Sequence, residues 1–195
     1  MKIINIGKIA SQYGLLLAFV ASVCTAISGG IYLLTKDKID EAIAMQQQEL
    51  LLQVMPQRYF DNDLMNNCDE RKTPEINKIC TALLNGKISA YAIEATAPDG
   101  YAGNIRILIG MTPEGEILGV RVLEHHETPG LGDKIETRIS NWILSFNHKK
   151  ISLDNIDEFA VKKDGGKFDQ FAGATITPRA VVNQVKRSAL EVLNK

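Results

Sequence analysis

The sequence predicts an α+β domain carried behind a single membrane-spanning helix. Three observations lead there. An uncharged apolar run lies near the N-terminus. Alternating apolar and polar segments joined by tight turns fill the middle. Segments of helical period sit between and after them. The expected boundaries are residues 1–35 for the tail and anchor, 36–56 for a helical stalk, and 57–195 for the α+β domain.

The anchor is "YGLLLAFVASVCTAISGGIYLL", which carries no charged residue from Tyr13 to Leu34. A helix of that length rises about 33 Å, enough for a bilayer core. A cleaved signal peptide would have an apolar part of only about 7–15 residues. A lipoprotein site would want a small residue before Cys24, and Val23 stands there. The expectation is therefore an uncleaved single span. Lys2 and Lys8 precede it and Lys36 and Lys38 follow, so the lysines balance. The α-amino group tips the N-terminus inward, and the rest of the chain is then outside the cytoplasmic membrane of a bacterium.

After the anchor, "TKDKIDEAIAMQQQELLLQVMP" is rich in helix formers and ends at Pro56. It reads as a stalk. Residues Arg58 to Asn85 are mixed, with a short helix expected from Pro74 to Leu84. Three strands follow: Ile88–Ala97, Asn104–Thr112 and Glu116–His125. "TPEGE" is a turn between two of them, and such tight loops predict an antiparallel meander.

"GDKIETRISNWILSFNHKK" places Ile135, Ile139, Trp142, Ile143 and Phe146 on one helical face. Asp133 with Glu136 resembles a capping box at its start. A further strand or hairpin is expected around Gly165-Gly166. The last helix runs from Pro178 to about Leu193, with Thr177 as N-cap, Pro178 as first helical residue, and Val181, Val185, Ala189 and Val192 along one face.

The net charge is −1, from 22 basic and 23 acidic residues. Without a long basic run, nucleic acid is excluded as a partner. Cys24 fills space in the span. Cys68 and Cys80 match no zinc spacing, and in an oxidising compartment they could form a disulfide or remain free thiols.

Two stretches could carry chemistry. In "EHHETPGLGDKI", Pro129, Gly130 and Gly132 let the backbone turn sharply and approach a ligand. His125 and His126 are adjacent on a strand and point to opposite faces, and there is no HExxH spacing, so no metal site is expected. In "DQFAGATITPRA", Thr175 lies just outside the positive end of the last helix, and Gly173 and Ala174 clear space beside its hydroxyl. The helix start favours a phosphate there. A threonine-protease role fails because Thr175 is internal.

Together, "ETPGLG" and "DQFAGAT" resemble the FMN-binding domain family, whose flavin is held covalently through its phosphate on a threonine. The motif in that family is approximately Asp-x-x-(Ser/Thr)-Gly-Ala-(Thr/Ser). It stands here as Asp169, Gln170, Phe171, Ala172, Gly173, Ala174 and Thr175, with Ala172 where Ser or Thr is usual. With its anchor, stalk and length, the whole chain resembles the G-subunit family of the Rnf/Rsx ion-translocating electron-transport complexes. The C subunit of the sodium-translocating NADH:quinone reductase is a related alternative.

The resemblance implies covalent FMN on Thr175, attached as a phosphoester by a separate flavin transferase. It implies that Gly173, Ala174, Ile176 and Thr177 form the phosphate end, with Thr177 bonding the phosphate while capping the helix. Glu127, Thr128, Gly130 and Leu131 would line the ring or ribityl chain. Lys134 would lie near the ring's pyrimidine edge or the phosphate, or else be a solvated first-turn lysine. The implied protein is a single-pass inner-membrane subunit with its C-terminal domain in the periplasm. It relays electrons beside other membrane subunits, ferredoxin- and NAD-linked or toward a redox-sensing regulator, without turnover of its own. The alternative from a different class is a non-redox anchored domain that binds a phosphorylated ligand at the same turn.

Overall fold

In the computed structural model, which describes residues 2–71 and 73–194, the chain divides into two units, residues 1–47 and 48–195. Helix α1 (Lys2–Val54) makes up the first unit and supplies the opening turns of the second. Leu15, Leu17, Phe19, Leu33 and Leu34 stand exposed on it. It is long and apolar enough to cross a membrane. Two hydroxyls of its apolar stretch bond back into the helix: those of Ser22 and Thr25 donate to the carbonyls of Ala18 and Ala21 at 2.8 and 2.9 Å. The predicted stalk continues the same helix, which stops two residues before Pro56.

The second unit is built on one antiparallel meander. Its strands are β1 (Cys68–Glu70), β2 (Lys78–Leu84), β3 (Lys87–Ala97), β4 (Ile105–Met111), β5 (Glu116–Glu124) and β6 (Lys149–Lys150), ordered as in the chain. The three predicted strands are β3, β4 and β5. Alternation sends Ile93, Ile107 and Ile109 to one face, where they pack with Val181, Val185 and Ala189 of helix α2 (Ile176–Leu193) and with Phe146 and Phe168. The other face carries Cys80, Ala82, Ala92 and Leu108, covered by Leu51, Val54 and Met55 and by Leu64. Gly110 and Gly119 are partners across β4 and β5, and the backbone of Val54 lies directly over both. Two missing side chains make the flat place on which the end of α1 rests. Cys68 and Cys80 face each other across β1 and β2 and are joined by a disulfide.

Several local expectations are corrected. The helix predicted from Pro74 to Leu84 is strand β2. "KICTALL" has helix formers, but its pairing with β1 on one side and β3 on the other sends Ile79 to one core and Cys80 and Ala82 to the other. The long helix after Gly132 is two short 3-10 turns, Gly132–Ile135 and Trp142–Phe146. Between them the Ser140 hydroxyl donates to the Lys134 carbonyl at 2.6 Å and accepts the Trp142 N–H at 3.2 Å. A side chain has taken over backbone partners, which stops the helix. Ile135, Ile143 and Phe146 are still buried, while Ile139 is exposed. No capping box forms at Asp133: Glu136 turns to His125 and Arg138, and Asp133 Oδ1 has no partner. Around Gly165 there is no strand among the described residues. A 3-10 turn (Lys162–Asp164) ends on Gly165 at φ +89°, with a single bridge from Val161 to Phe168. Helix α2 begins at Ile176 with Thr175 at its cap position, so Thr177 and Pro178 lie inside the first turn.

Candidate functional site

The site forms where three turns meet the start of α2. The first is the β3–β4 turn, "PDGYAG". The second is "ETPGLG", which leaves the end of β5 and turns at Gly130, φ +79°. The third is "DQFAGAT", which turns at Gly173, φ +80°. The "DQFAGAT" turn is pinned from below. Trp142 Nε1–H donates to the Asp169 carbonyl at 2.7 Å, the Trp142 ring meets Phe171 edge-on at 5.2 Å, and Ala174 N–H returns to the Phe171 carbonyl. An aromatic anchor therefore fixes the backbone two residues before the exposed Gly173.

The three turns enclose a cavity of about 280 Å³. From "ETPGLG" come Glu127, Thr128, Leu131 and Gly132; from the α2 side come Gly173, Ala174, Thr175, Ile176 and Thr177. Of the residues named from the sequence, Gly130 and Lys134 are outside this lining. One residue joins it that the sequence did not single out, Tyr101; Gly132, read from the sequence as a turn residue that lets the backbone approach a ligand, lines it too. Tyr101, Leu131 and Ile176 form an exposed apolar rim. An aromatic placed in a Gly-rich turn was the signal available for Tyr101.

Thr175 is half-buried, and its hydroxyl makes no hydrogen bond among the described residues, to the helix or elsewhere. Among the described residues, the N–H groups of Ile176 and Thr177 at the start of α2 have no carbonyl partner one turn earlier; Pro178 carries no N–H, and the Arg179 N–H bonds the Thr175 carbonyl at 3.4 Å. Thr177 is different. It is fully buried, and its hydroxyl donates to Glu127 Oε2. Glu127 Oε1 accepts the Ala102 N–H at 3.0 Å. One buried carboxylate thus ties all three segments together.

His125 fixes the approach to this acid. Its Nδ1 accepts the Glu127 N–H at 3.0 Å and its Nε2 lies 2.7 Å from Glu136 Oε1. This pairing suits the neutral ring with its proton on Nε2. The Arg138 guanidinium and then His125 hold the Glu136 carboxyl down at about 2, so Glu136 is an anion that accepts both. His125 is a positioning group. No cluster of metal-ligating side chains occurs among the described residues.

This geometry coincides with family boundaries. The FMN-binding domain family matches residues 100–190, and the RnfG N-terminal region family matches residues 1–54. The G subunit of the ion-translocating oxidoreductase complex of Haemophilus influenzae (strain PittEE) is 65% identical over 96% of this chain and 92% of its own length. Its counterpart of the same name from Pasteurella multocida (strain Pm70) is 62% identical over 96% of each. The chain belongs to the G-subunit family of ion-translocating oxidoreductase complexes. A crystal structure of Shewanella oneidensis NqrC aligns with it at a TM-score of 0.45 and 19% identity, over 71% of each chain. In this G-subunit family member, the match to the FMN-binding domain opens at the turn that holds Tyr101 and Ala102. It takes in both motifs and most of α2. The apolar α1 falls within the N-terminal family region and is long and apolar enough to cross a membrane.

Proposed function

We propose that this protein carries FMN as a phosphoester on Thr175 and relays electrons inside an ion-translocating oxidoreductase complex, on the periplasmic side of the inner membrane. The observation that carries the reading is the uncommitted hydroxyl of Thr175 at the start of an 18-residue helix, on the wall of a cavity inside the FMN-binding domain.

The residues present fit the group. Gly173 and Ala174 leave room beside the hydroxyl. The first-turn N–H groups and the helix dipole suit a phosphodiester's single negative charge. The apolar rim of Tyr101, Leu131 and Ile176 suits a flat aromatic ring, with Thr128 at its edge. Bond formation replaces the O–H of Thr175 by an O–P bond. The hydroxyl proton leaves, and a flavin transferase supplies an activated flavin phosphoanhydride whose leaving group departs. FMN supplies the electron-accepting ring; the chain supplies its position and its electrostatic surroundings. A tether also keeps the cofactor at high effective concentration where it would otherwise diffuse away. The Cys68–Cys80 disulfide supports the periplasmic placement, since such bonds persist in oxidising compartments.

The test is expression of the full chain with a flavin transferase, followed by a denaturing gel viewed under ultraviolet light. A fluorescent band is expected, absent in Thr175→Ala and absent without the transferase. A dark wild-type band, or a bright T175A band, overturns the assignment.

A further inference from the structure

Two acidic side chains are buried among the described residues, Glu127 and Asp133, and Glu127 is the one that lines the cavity. It is 4% exposed, and no lysine, arginine or histidine side chain forms an ion pair with it among the described residues. Among the described residues the partners of its carboxylate are the Ala102 N–H and the Thr177 hydroxyl. It has no room to move. A carbon added at Gly100 would lie 2.9 Å from Oε1, and one added at Gly132 would lie 2.8 Å from Oε2. Gly132 is therefore required by the acid packed against it, while at Gly100 the carbonyl oxygen of Gly103 lies closer still than the acid.

Two consequences follow from this packing. The Thr177 hydroxyl has one proton and gives it to Glu127, so its oxygen can only accept from any other group. It is not a donor to a phosphate. A carboxylate that is 4% exposed and has no cation paired with it among the described residues also acts on charge entering the cavity more strongly than a surface acid would. Adding electrons to the occupant of the cavity adds negative charge, and Glu127 opposes it.

We propose that Glu127 is a positioning residue that presents Thr177 to the flavin as a hydrogen-bond acceptor, and that its charge lowers the flavin's affinity for electrons. The proposal rests on the flavin reading of this cavity. The phosphate end at Thr175 and the acid at Glu127 then have separate duties, one to hold the cofactor and the other to set its potential.

The experiment is a spectroelectrochemical titration of the full-length, flavin-loaded protein in detergent. Glu127→Gln keeps both hydrogen bonds available, because the amide oxygen can accept from Ala102 and the amide nitrogen can donate to Thr177. It removes the charge and, because the amide donates where the carboxylate accepted, frees the Thr177 proton to turn toward the flavin; both changes favour added electrons. The expected result is at least a tenfold shift of the oxidised-to-reduced ratio toward reduced at a fixed potential, about 30 mV upward for a two-electron couple. Thr177→Val keeps the charge and must not raise the potential, and Thr177→Ser should match the wild type. An unchanged or lower potential in E127Q overturns the proposal, as does an equal rise in T177V. If E127Q does not accumulate, the double variant Glu127→Met with Thr177→Val, which removes both polar partners together, must show the same rise against T177V alone. A covalently loaded wild type with an unmoved E127Q sinks only this inference; a wild type without covalent flavin sinks the function on which it rests.

Discussion

Replacing Gly110 by alanine should unseat the end of α1 from the sheet. Gly110 has no positive φ, so alanine meets no backbone penalty there. Its new carbon would lie 2.8 Å from the carbonyl carbon of Val54 and closer still to the carbonyl oxygen, where ordinary contact begins at 3.4 Å. Both are backbone atoms of the helix's last turn, so no rotamer change relieves the clash. The helix end must lift by more than about half an ångström. Lifting strains the packing of Val54 and Met55, which are both at 0% exposure, and of Leu51 at 8%.

Overpacking alone costs about 1–3 kcal/mol. Releasing Val54 and Met55 entirely would cost roughly 3–6 kcal/mol. Loss of glycine's freedom in the unfolded chain returns about 0.4–1 kcal/mol. The expected net loss is therefore roughly 2–3 kcal/mol, large against a typical domain's stability. The assay is urea unfolding of the full chain in detergent, followed by the fluorescence of Trp142, the chain's single tryptophan. Gly29→Ala is the matched control, because nothing lies within 4 Å of the added carbon there. A G110A midpoint equal to or above that of the wild type would refute the seating of α1 on the glycine pair.

Removing the disulfide by Cys68→Ala with Cys80→Ala opens a link across a sequence separation of 12; loop entropy predicts a loss of roughly 3 kcal/mol, read by the same unfolding curves. Acid should weaken the support of the "ETPGLG" turn. The Glu136 carboxyl is depressed in the folded chain from 4.5 to about 2 by Arg138 and then His125, so its contribution is present above about pH 4.5 and is lost as pH falls toward 2. Thermal melts across that range should show a slope that flattens in Glu136→Gln; an equal slope in both proteins counts against the contact.

The sheet was legible where local pattern and tertiary demand agree. β3, β4 and β5 are rich in strand-forming apolar residues and are separated by turn residues, and the structure keeps them within a residue or two of the expected ends. β2 was not legible, because what makes "KICTALL" a strand is its two neighbours and the cysteine opposite Cys80, none of them local. The segment after Gly132 has a true helical period, and its apolar residues other than Ile139 are buried or half-buried as that period demands. One hydroxyl, on Ser140, redirects the backbone partners, and a pattern of apolar positions carries no record of it.

The threonines of "GATIT" show the same limit with a functional outcome. By residue type and by its following proline, Thr177 is the natural cap, and a local argument assigns it that task. The chain instead spends that hydroxyl on Glu127, a residue 50 positions away. Such a partner is invisible to any window on the sequence. With Thr177 buried, the helix starts earlier and Thr175 takes the cap position with its own hydroxyl uncommitted. The burial of one acid therefore decides which of two threonines is left open. The same contact that makes Glu127 a candidate for setting a potential is what keeps Thr175 available as a point of attachment. Glu127→Gln should accordingly leave attachment at Thr175 intact while moving the potential, and Thr175→Ala should abolish attachment while leaving Glu127 in place.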